Sequence, residues 1–511
     1  MASREIPAEV VQAVEPANLL GSEMKRLMLH SSHYLAGLVG GLVAGLISFP
    51  IFTRTFSVAE YGLIDLAQKI VLLLVIASKV GLPNAILRFY DKDQFASDED
   101  AARRYYSTMF FGTLGTSFII ALVAYVVALA RPGSLNASPL VTLLFLLPAL
   151  GLLRAVGATL WAFLRIEERT KLFNATTVGS KLATVAVICI LLPFAGRTAH
   201  TYLIGMILVE SVVVGSLSWS LLRRGVLSPD RFDSALYRAG VVFGMPLVIY
   251  EFAFAILASA DRFLVRHYLG ADALGFYSAA FGLAQHGNEL LSAPLTLAII
   301  PIYMSIWTSQ GAEQTARFLT LTFDFFLVGA IGILATMIAA ARPLVVLLAS
   351  SKYAGVDRLI PIFVAGLLIY SMHVFVGAGL LIHKRTLLMA AAMMVSAVLN
   401  IGLNCLLLPR MGLMGGAIAT VLSYLFCILW LGRASNRHLR LQIQPACIMK
   451  YLAAGAIAAL AGSRIEAGSH FLDLAAKSAV AVSLYLLSLY VLDDRVRHCA
   501  GWAAGRLRAA V

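Results

Sequence analysis

Residues 66–89 read LAQKIVLLLVIASKVGLPNAILRF. A helix needs about 20 mainly apolar residues to cross the hydrocarbon of a bilayer, and this run has that length and character, with Lys79 near its middle. The whole chain has the same balance. It is 511 residues long, 60% hydrophobic and 13% charged. Soluble domains are about a quarter charged and under half apolar. So little charge does not cover a soluble surface of this size, but it suits a protein whose solvent is lipid, where charged side chains are expensive.

Working outward from 66–89, thirteen further apolar runs stand between polar punctuation. They cover 33–53, 105–130, 139–164, 172–195, 199–222, 236–260, 274–302, 318–342, 358–382, 386–408, 412–433, 446–463 and 470–492. The expectation is an all-α integral membrane protein of about 14 transmembrane helices. An N-terminal segment (1–30) precedes a first lobe of six helices (31–225). A second lobe of six (226–440), a C-terminal helix pair (441–493) and a tail (494–511) follow. The first apolar run starts too late for a cleavable signal, and the stretch holding Lys25 and Arg26 reads as an interfacial helix.

The net charge is +13. Lys and Arg sit in short loops between apolar runs, so the excess is read as topological, with no nucleic-acid partner. With both termini inside, 25 of the 40 Lys and Arg fall on the cytoplasmic side, 12 on the periplasmic side and three within helices. Positive loops stay cytoplasmic, which places both termini in the cytoplasm of a bacterium, the protein crossing its inner membrane many times. The cysteines, Cys189, Cys405, Cys427, Cys447 and Cys499, form no CxxC pair and suggest neither disulfides nor a metal. No cofactor is expected.

Arg169-Thr170 recurs as Arg385-Thr386, and Leu191-Leu192-Pro193 as Leu407-Leu408-Pro409, both 216 residues on. Arg54 matches Arg266 and Pro83 matches Pro294 at nearly the same offset. A six-helix repeat keeps its orientation, so the two lobes are parallel copies, an arrangement in which transporters hold cargo between halves. Gly37, Gly41 and Gly45 form a four-spaced stripe, and Gly412 and Gly416 repeat the spacing, as in close helix packing. Pro50, Pro83, Pro148, Pro246, Pro294 and Pro301 mark kinks in or near the ends of spans.

An ionisable group within a span points to function unless it is neutralised. Lys79, Arg154 and Lys181 are such cations, all in the first lobe, and a positive cavity fits an anionic cargo. The second lobe carries Glu251, Asp261, Arg262, Glu289 and Asp324. Its carboxylates read either as sites for H⁺ or Na⁺ coupling or as partners of the cations. Glu251 and Arg262, eleven residues apart, share a face of helix 7, and Asp65 and Lys69 form an i, i+4 pair. Trp161, Trp219, Trp307, Tyr277 and Tyr303 read as interfacial anchors.

The stretches ISFPIFTRTFSVAEYGLIDLAQKIVLLLVIASKVGLPNAILRFY (47–90) and LLLPRMGLMGGAIATVLSY (406–424) resemble polysaccharide and O-antigen repeat-unit flippases of the multidrug/oligosaccharidyl-lipid/polysaccharide (MOP) exporter superfamily. The resemblance covers about residues 30–490. It implies a cationic cavity between two lobes and a cargo of undecaprenyl-diphosphate-linked oligosaccharide. It also implies ion-gradient coupling, and polysaccharide polymerase and glycosyltransferases as partners besides membrane lipids. The resemblance makes Arg54, Lys79, Arg88, Arg154 and Lys181 candidates for the diphosphate, with Arg262 beside them. The pair 446–492 departs from 12-helix members and is similar to peptidoglycan-precursor flippases, an alternative cargo class. A multidrug or cation antiporter is the other alternative. A membrane enzyme is disfavoured: no large extramembrane loop is visible, and GxxxxGK[ST], HExxH and GxSxG are missing.

Overall fold

The computed structural model describes residues 16–130, 143–442, 444–493 and 497. The first 15 residues, the third-to-fourth-span loop with the start of the fourth span, and the tail apart from Arg497 lie outside the described residues.

The described chain is helical throughout. Helix α1 (Pro16–Thr55) runs without interruption through the expected interfacial segment into the first span. It is followed by α2 (Val58–Lys79), α3 (Leu82–Phe89), α4 (Lys92–Ser97), α5 (Glu99–Leu129), α6 (Leu147–Ile166), α7 (Thr170–Ala195) and α8 (Ala199–Arg223). The second half begins with α9 (Ser234–Leu257) and α10 (Ala260–Leu344), which breaks at Gly270 and Gly311. Then come α11 (Ile360–Ser371), α12 (His373–Val376), α13 (Ala378–Ile382), α14 (Thr386–Met411), α15 (Leu413–Ser435), α16 (Pro445–Ser463) and α17 (His470–Leu492).

Among the described residues, eleven helices are long and apolar enough to cross a membrane. That number takes residues 234–349 as one, although the chain breaks at Ala258–Ser259, Gly270 and Gly311, between three expected spans, and it leaves out the shorter Ile360–Val376. Helix ends carry polar caps. Ser57 accepts from Glu60 N at 3.2 Å, and Asp98 accepts from Ala101 N at 2.9 Å with Glu99 and Asp100 in the first turn. These groups satisfy free N–H groups in the first turns of α2 and α5.

The 216-residue repeat has a backbone signature. α7 and α14 are each 26 residues long. Each follows a residue with φ of 56°, Glu168 and Lys384, and each ends on a glycine with positive φ, Gly196 and Gly412. Gly412 therefore belongs to a left-handed turn, which corrects its reading as part of a packing stripe. The halves differ at α2, which stops at Val80 and Gly81 (φ 39° and 75°) before Pro83 restarts the chain as α3. The equivalent stretch of α10 runs straight through Pro294.

Two apolar clusters lie in the first half, around Phe56–Leu203 and around Leu82–Phe163. One large cluster joins α10 to α11, α14, α15 and α16 and takes in Phe49 and Leu66 of the first half, and a small one joins Ile76 of α2 to Val248 and Ala255 of α9. α16 and α17 pack on α10, where Gly455 meets Ile331, Gly332 meets Tyr485, and Tyr485 OH donates to Val328 O at 2.8 Å. Small residues let these backbones approach closely in lipid.

Candidate functional site

The seam between the lobes is lined by α1, α2, α3 and α7 on one side and α9 and α10 on the other. Call the face where α1 ends distal and the face where it begins proximal. Glycine dictates how closely the lobes meet. A Cβ on Gly62 would lie 2.6 Å from Gly275 N, and one on Gly81 would lie 2.5 Å from Gly244 Cα. These two crossings bring side chains of α2 within reach of α9 and α10.

At the distal end the lobes cap each other's helices. Arg54 donates to Leu347 O at 2.5 Å, while Lys352 donates to Phe56 O at 2.6 Å and Arg54 O at 3.3 Å. Carbonyls at a helix C-terminus lack intrahelical donors and carry partial negative charge, so a cation is a natural partner. Burial, and after it the Arg197 guanidinium, hold the Lys352 ammonium below the ordinary lysine range. Arg54 thus meets a carbonyl at the mouth of the seam.

Deeper in, Asp65 of α2 receives Ser278 OH at 2.7 Å and Arg262 Nε at 3.4 Å, with Lys69 3.6 Å away. The local Asp65–Lys69 pair is therefore one edge of a cross-lobe network. Arg262 is 1% exposed and pairs with Asp261 at 2.7 Å. Its guanidinium also donates to Ala258 O at 2.8 Å and lies 3.9 Å from the Phe281 ring centroid. Tyr277 OH donates to Asp261 at 2.6 Å, and Thr420 of α15 lies 3.4 Å from the same oxygen. Tyr277 and Tyr303 are buried rather than interfacial, which corrects that reading.

Toward the proximal face Lys79 of α2 meets Glu251 of α9 at 2.6 Å. The expected shared face of Glu251 and Arg262 is not formed, because the chain breaks at Ala258 and Ser259 between α9 and α10. The break sends Glu251 to Lys79 and Arg262 to Asp65.

Beside this line, the glycine stripe of α1 makes room for polar groups. Asn174 faces Gly37, Lys181 faces Gly41 and His286 faces Gly45. Lys181 Nζ donates to Gly41 O at 3.4 Å and has no carboxylate at ion-pair distance among the described residues. Lys181, Glu289, Gly37, Gly41 and Thr177 line a cavity of about 310 Å³. Glu289 accepts from Gln285 at 2.7 Å and lies 3.8 Å from His286.

Arg154 is held within the first lobe. It reaches Gln68 at 2.7 Å and Glu210 at 3.5 Å, and Gln68 donates to Tyr202 at 3.2 Å. Glu210 was not singled out from the sequence, although an acid within MILVESVVV carries the same signal as Lys79. Arg88 is exposed on α3, and Asp324 lies on the far side of the second lobe, near Tyr451 of α16. Neither joins the seam. The structure thus brings together Arg54, Lys79, Lys181, Glu251, Asp261, Arg262 and Glu289, with Asp65, Lys69, Tyr277, Ser278 and Lys352 added.

Two parallel helical lobes meeting along a charged seam are the architecture of a multi-pass membrane protein. The chain belongs to the polysaccharide biosynthesis protein family, which it matches over residues 31–307. Among solved structures it is similar to the lipid II flippase MurJ in an inward closed conformation, at 13% identity and TM-score 0.69, covering 91% of this chain and 98% of that one. It is also similar to an inward-facing multidrug resistance MATE transporter of the MOP superfamily, at 13% identity and TM-score 0.62 over 80% and 94% of the two chains. A third is the Vibrio cholerae MATE transporter VcmN, at 14% identity and TM-score 0.55 over 82% and 98%. At such identities the likeness is one of fold. No curated protein sequence matches the chain.

Proposed function

We propose that this protein flips undecaprenyl-diphosphate-linked oligosaccharide repeat units across the bacterial inner membrane for surface polysaccharide assembly. Both termini face the cytoplasm, and enzymes that build and polymerise the repeat unit work beside it. The observation that carries this reading is the cross-lobe seam, in which Lys79 of the first lobe pairs with Glu251 of the second and Asp65 of the first with Arg262 of the second. Lys79 with Glu251 is the clearest pair.

A diphosphate entering the seam competes with those carboxylates for the same ammonium and guanidinium groups. Lys181 is the first cation it meets, because its cavity already holds space beside α1. Transfer of Lys79 from Glu251 to phosphate unties α2 from α9. A ligand shifts a conformational equilibrium only through unequal affinity for the two states, and this exchange supplies the inequality. Glu251, once Lys79 turns to phosphate, is left without its cation, and with Glu289 it is the candidate for binding H⁺ or Na⁺. That binding couples resetting to an ion gradient, with Asp261 and Arg262 as the fixed pivot.

The same carboxylates favour a second reading, a multidrug or cation antiporter, in which Glu251 and Glu289 hold the cargo. The MurJ-like fold makes a peptidoglycan precursor a third cargo. Single replacement of Lys79, Arg154 and Lys181 by Ala, with surface polysaccharide and folded protein measured together, separates these. Loss of polysaccharide at normal protein level supports the flippase. Normal polysaccharide from all three, or drug sensitivity as the main change, sinks it.

A further inference from the structure

Helix α15 has two faces. Thr420, Tyr424, Cys427, Leu431 and Ser435 point into the second lobe and are buried. The opposite face carries Phe426, Leu429, Trp430 and Arg433, and Arg437 lies in the turn that follows the helix. Arg385, at the start of α14, stands beside them. These six residues line an open cavity of about 740 Å³. A second, of about 720 Å³, shares Leu429, Arg433 and Arg437 and adds Arg440. Phe426 and Trp430 pack edge to face at 5.7 Å, and Leu429 is 63% exposed.

The arginines here differ from those of the seam. Arg385, Arg433, Arg437 and Arg440 have neither a carboxylate nor a side-chain hydrogen bond among the described residues. Arg385 also sits at the N-cap of α14, where the helix dipole adds positive potential. The groove is thus cationic at the proximal boundary and apolar toward the membrane. Its occupant must carry an anionic head and an apolar tail in the same order. An acidic peptide supplies the first and not the second.

We infer that this groove is a binding site for an anionic glycerophospholipid, its phosphate held by Arg385, Arg433 and Arg437 and an acyl chain lying along Leu429 and Trp430. Basic pockets between transmembrane helices recognise lipid head groups in this way. The site lies on the face of α15 turned away from the seam, so it is independent of the cargo proposed above.

The test is binding of short-chain phosphatidylglycerol to the purified full-length protein in neutral detergent. Each arginine near a lipid head contributes about 1 kcal/mol, which is about fivefold in affinity, so the Arg385→Gln/Arg433→Gln/Arg437→Gln variant binds on the order of a hundredfold more weakly. Trp430→Ala, which keeps every charge, also weakens binding, by about tenfold. It keeps the proposal open to refutation where the triple variant fails to fold. Arg223→Gln/Arg224→Gln, a basic pair outside the groove, leaves binding within about twofold. Equal loss in that control, equal affinity for phosphatidylcholine, displacement by millimolar inorganic phosphate, or equally tight binding of a poly-glutamate peptide overturns it.

Discussion

Exchanging the charges of Lys79 and Glu251 separates electrostatic closure of the seam from simple packing. The two groups are 2.6 Å apart and 18% and 28% exposed. With an effective dielectric of about 20, their Coulomb attraction is about 6 kcal/mol. Desolvation and side-chain ordering cancel most of it. Exposed pairs contribute at most about 1 kcal/mol, and removing one partner of a buried pair costs about 3–5 kcal/mol. Partial exposure puts this pair near 2 kcal/mol, which is about thirtyfold in the equilibrium between apposed and parted lobes. Glu251→Gln and Lys79→Gln each remove that contribution, and Lys79→Glu/Glu251→Lys restores it. The assay is disulfide yield between cysteines placed at Ile76 and Val248, which share a small apolar cluster across the same seam, with the native cysteines replaced. Yield falls in both single variants and recovers in the swap. Unchanged yield in the singles, or a swap no better than either, refutes the reasoning.

Glu210→Ala leaves Arg154 without its carboxylate, with Gln68 and the Met206 sulfur as neutral partners, and lowers stability by about 3 kcal/mol, read as a drop in melting temperature. Arg154→Met/Glu210→Leu recovers most of it. Gly275→Ala places a Cβ against Val58 O, so α2 and α10 separate and cross-linking at the distal seam falls while the helix content by circular dichroism is kept. Lys352→Ala uncaps α1 and raises labelling of a cysteine at Phe56 by a membrane-impermeant maleimide, and unchanged labelling argues against distal closure by that cation. Arg88→Ala and Asp324→Asn, both away from the seam, leave polysaccharide output unchanged.

How much was legible follows from the range of each signal. Apolar runs are local, so the spans and their polar caps were readable from 66–89 outward. The repeat was readable because Arg169-Thr170 and Arg385-Thr386 mark the same left-handed turn before a helix. The stretch 234–349 breaks at Ala258–Ser259, Gly270 and Gly311, between the expected spans 236–260, 274–302 and 318–342, and polar residues such as Arg266, Asp272, Gln310 and Glu313 around the breaks made that division readable. Partner choice was the hardest. Lys79 and Glu251 are 172 positions apart, and only the break at Ala258–Ser259 decides that Glu251 faces α2 instead of Arg262. The stripe Gly37, Gly41 and Gly45 looked like backbone packing, because nothing local to α1 announces that Lys181 and His286 fill it. Glu210 was readable by the rule that exposed Lys79, and its partner Arg154 had already been noticed.

The central claim is that this protein moves a diphosphate-linked glycolipid between leaflets. The direct measurement uses proteoliposomes carrying a fluorescent undecaprenyl-diphosphate oligosaccharide, with an impermeant glycosidase added outside. Without protein, the inner-leaflet pool stays protected. With protein, that pool becomes cleavable, and Lys79→Ala and Lys181→Ala slow the process while Arg88→Ala does not. Continued protection of the inner pool with folded wild-type protein, together with uptake of a cationic drug into the same vesicles, contradicts the account.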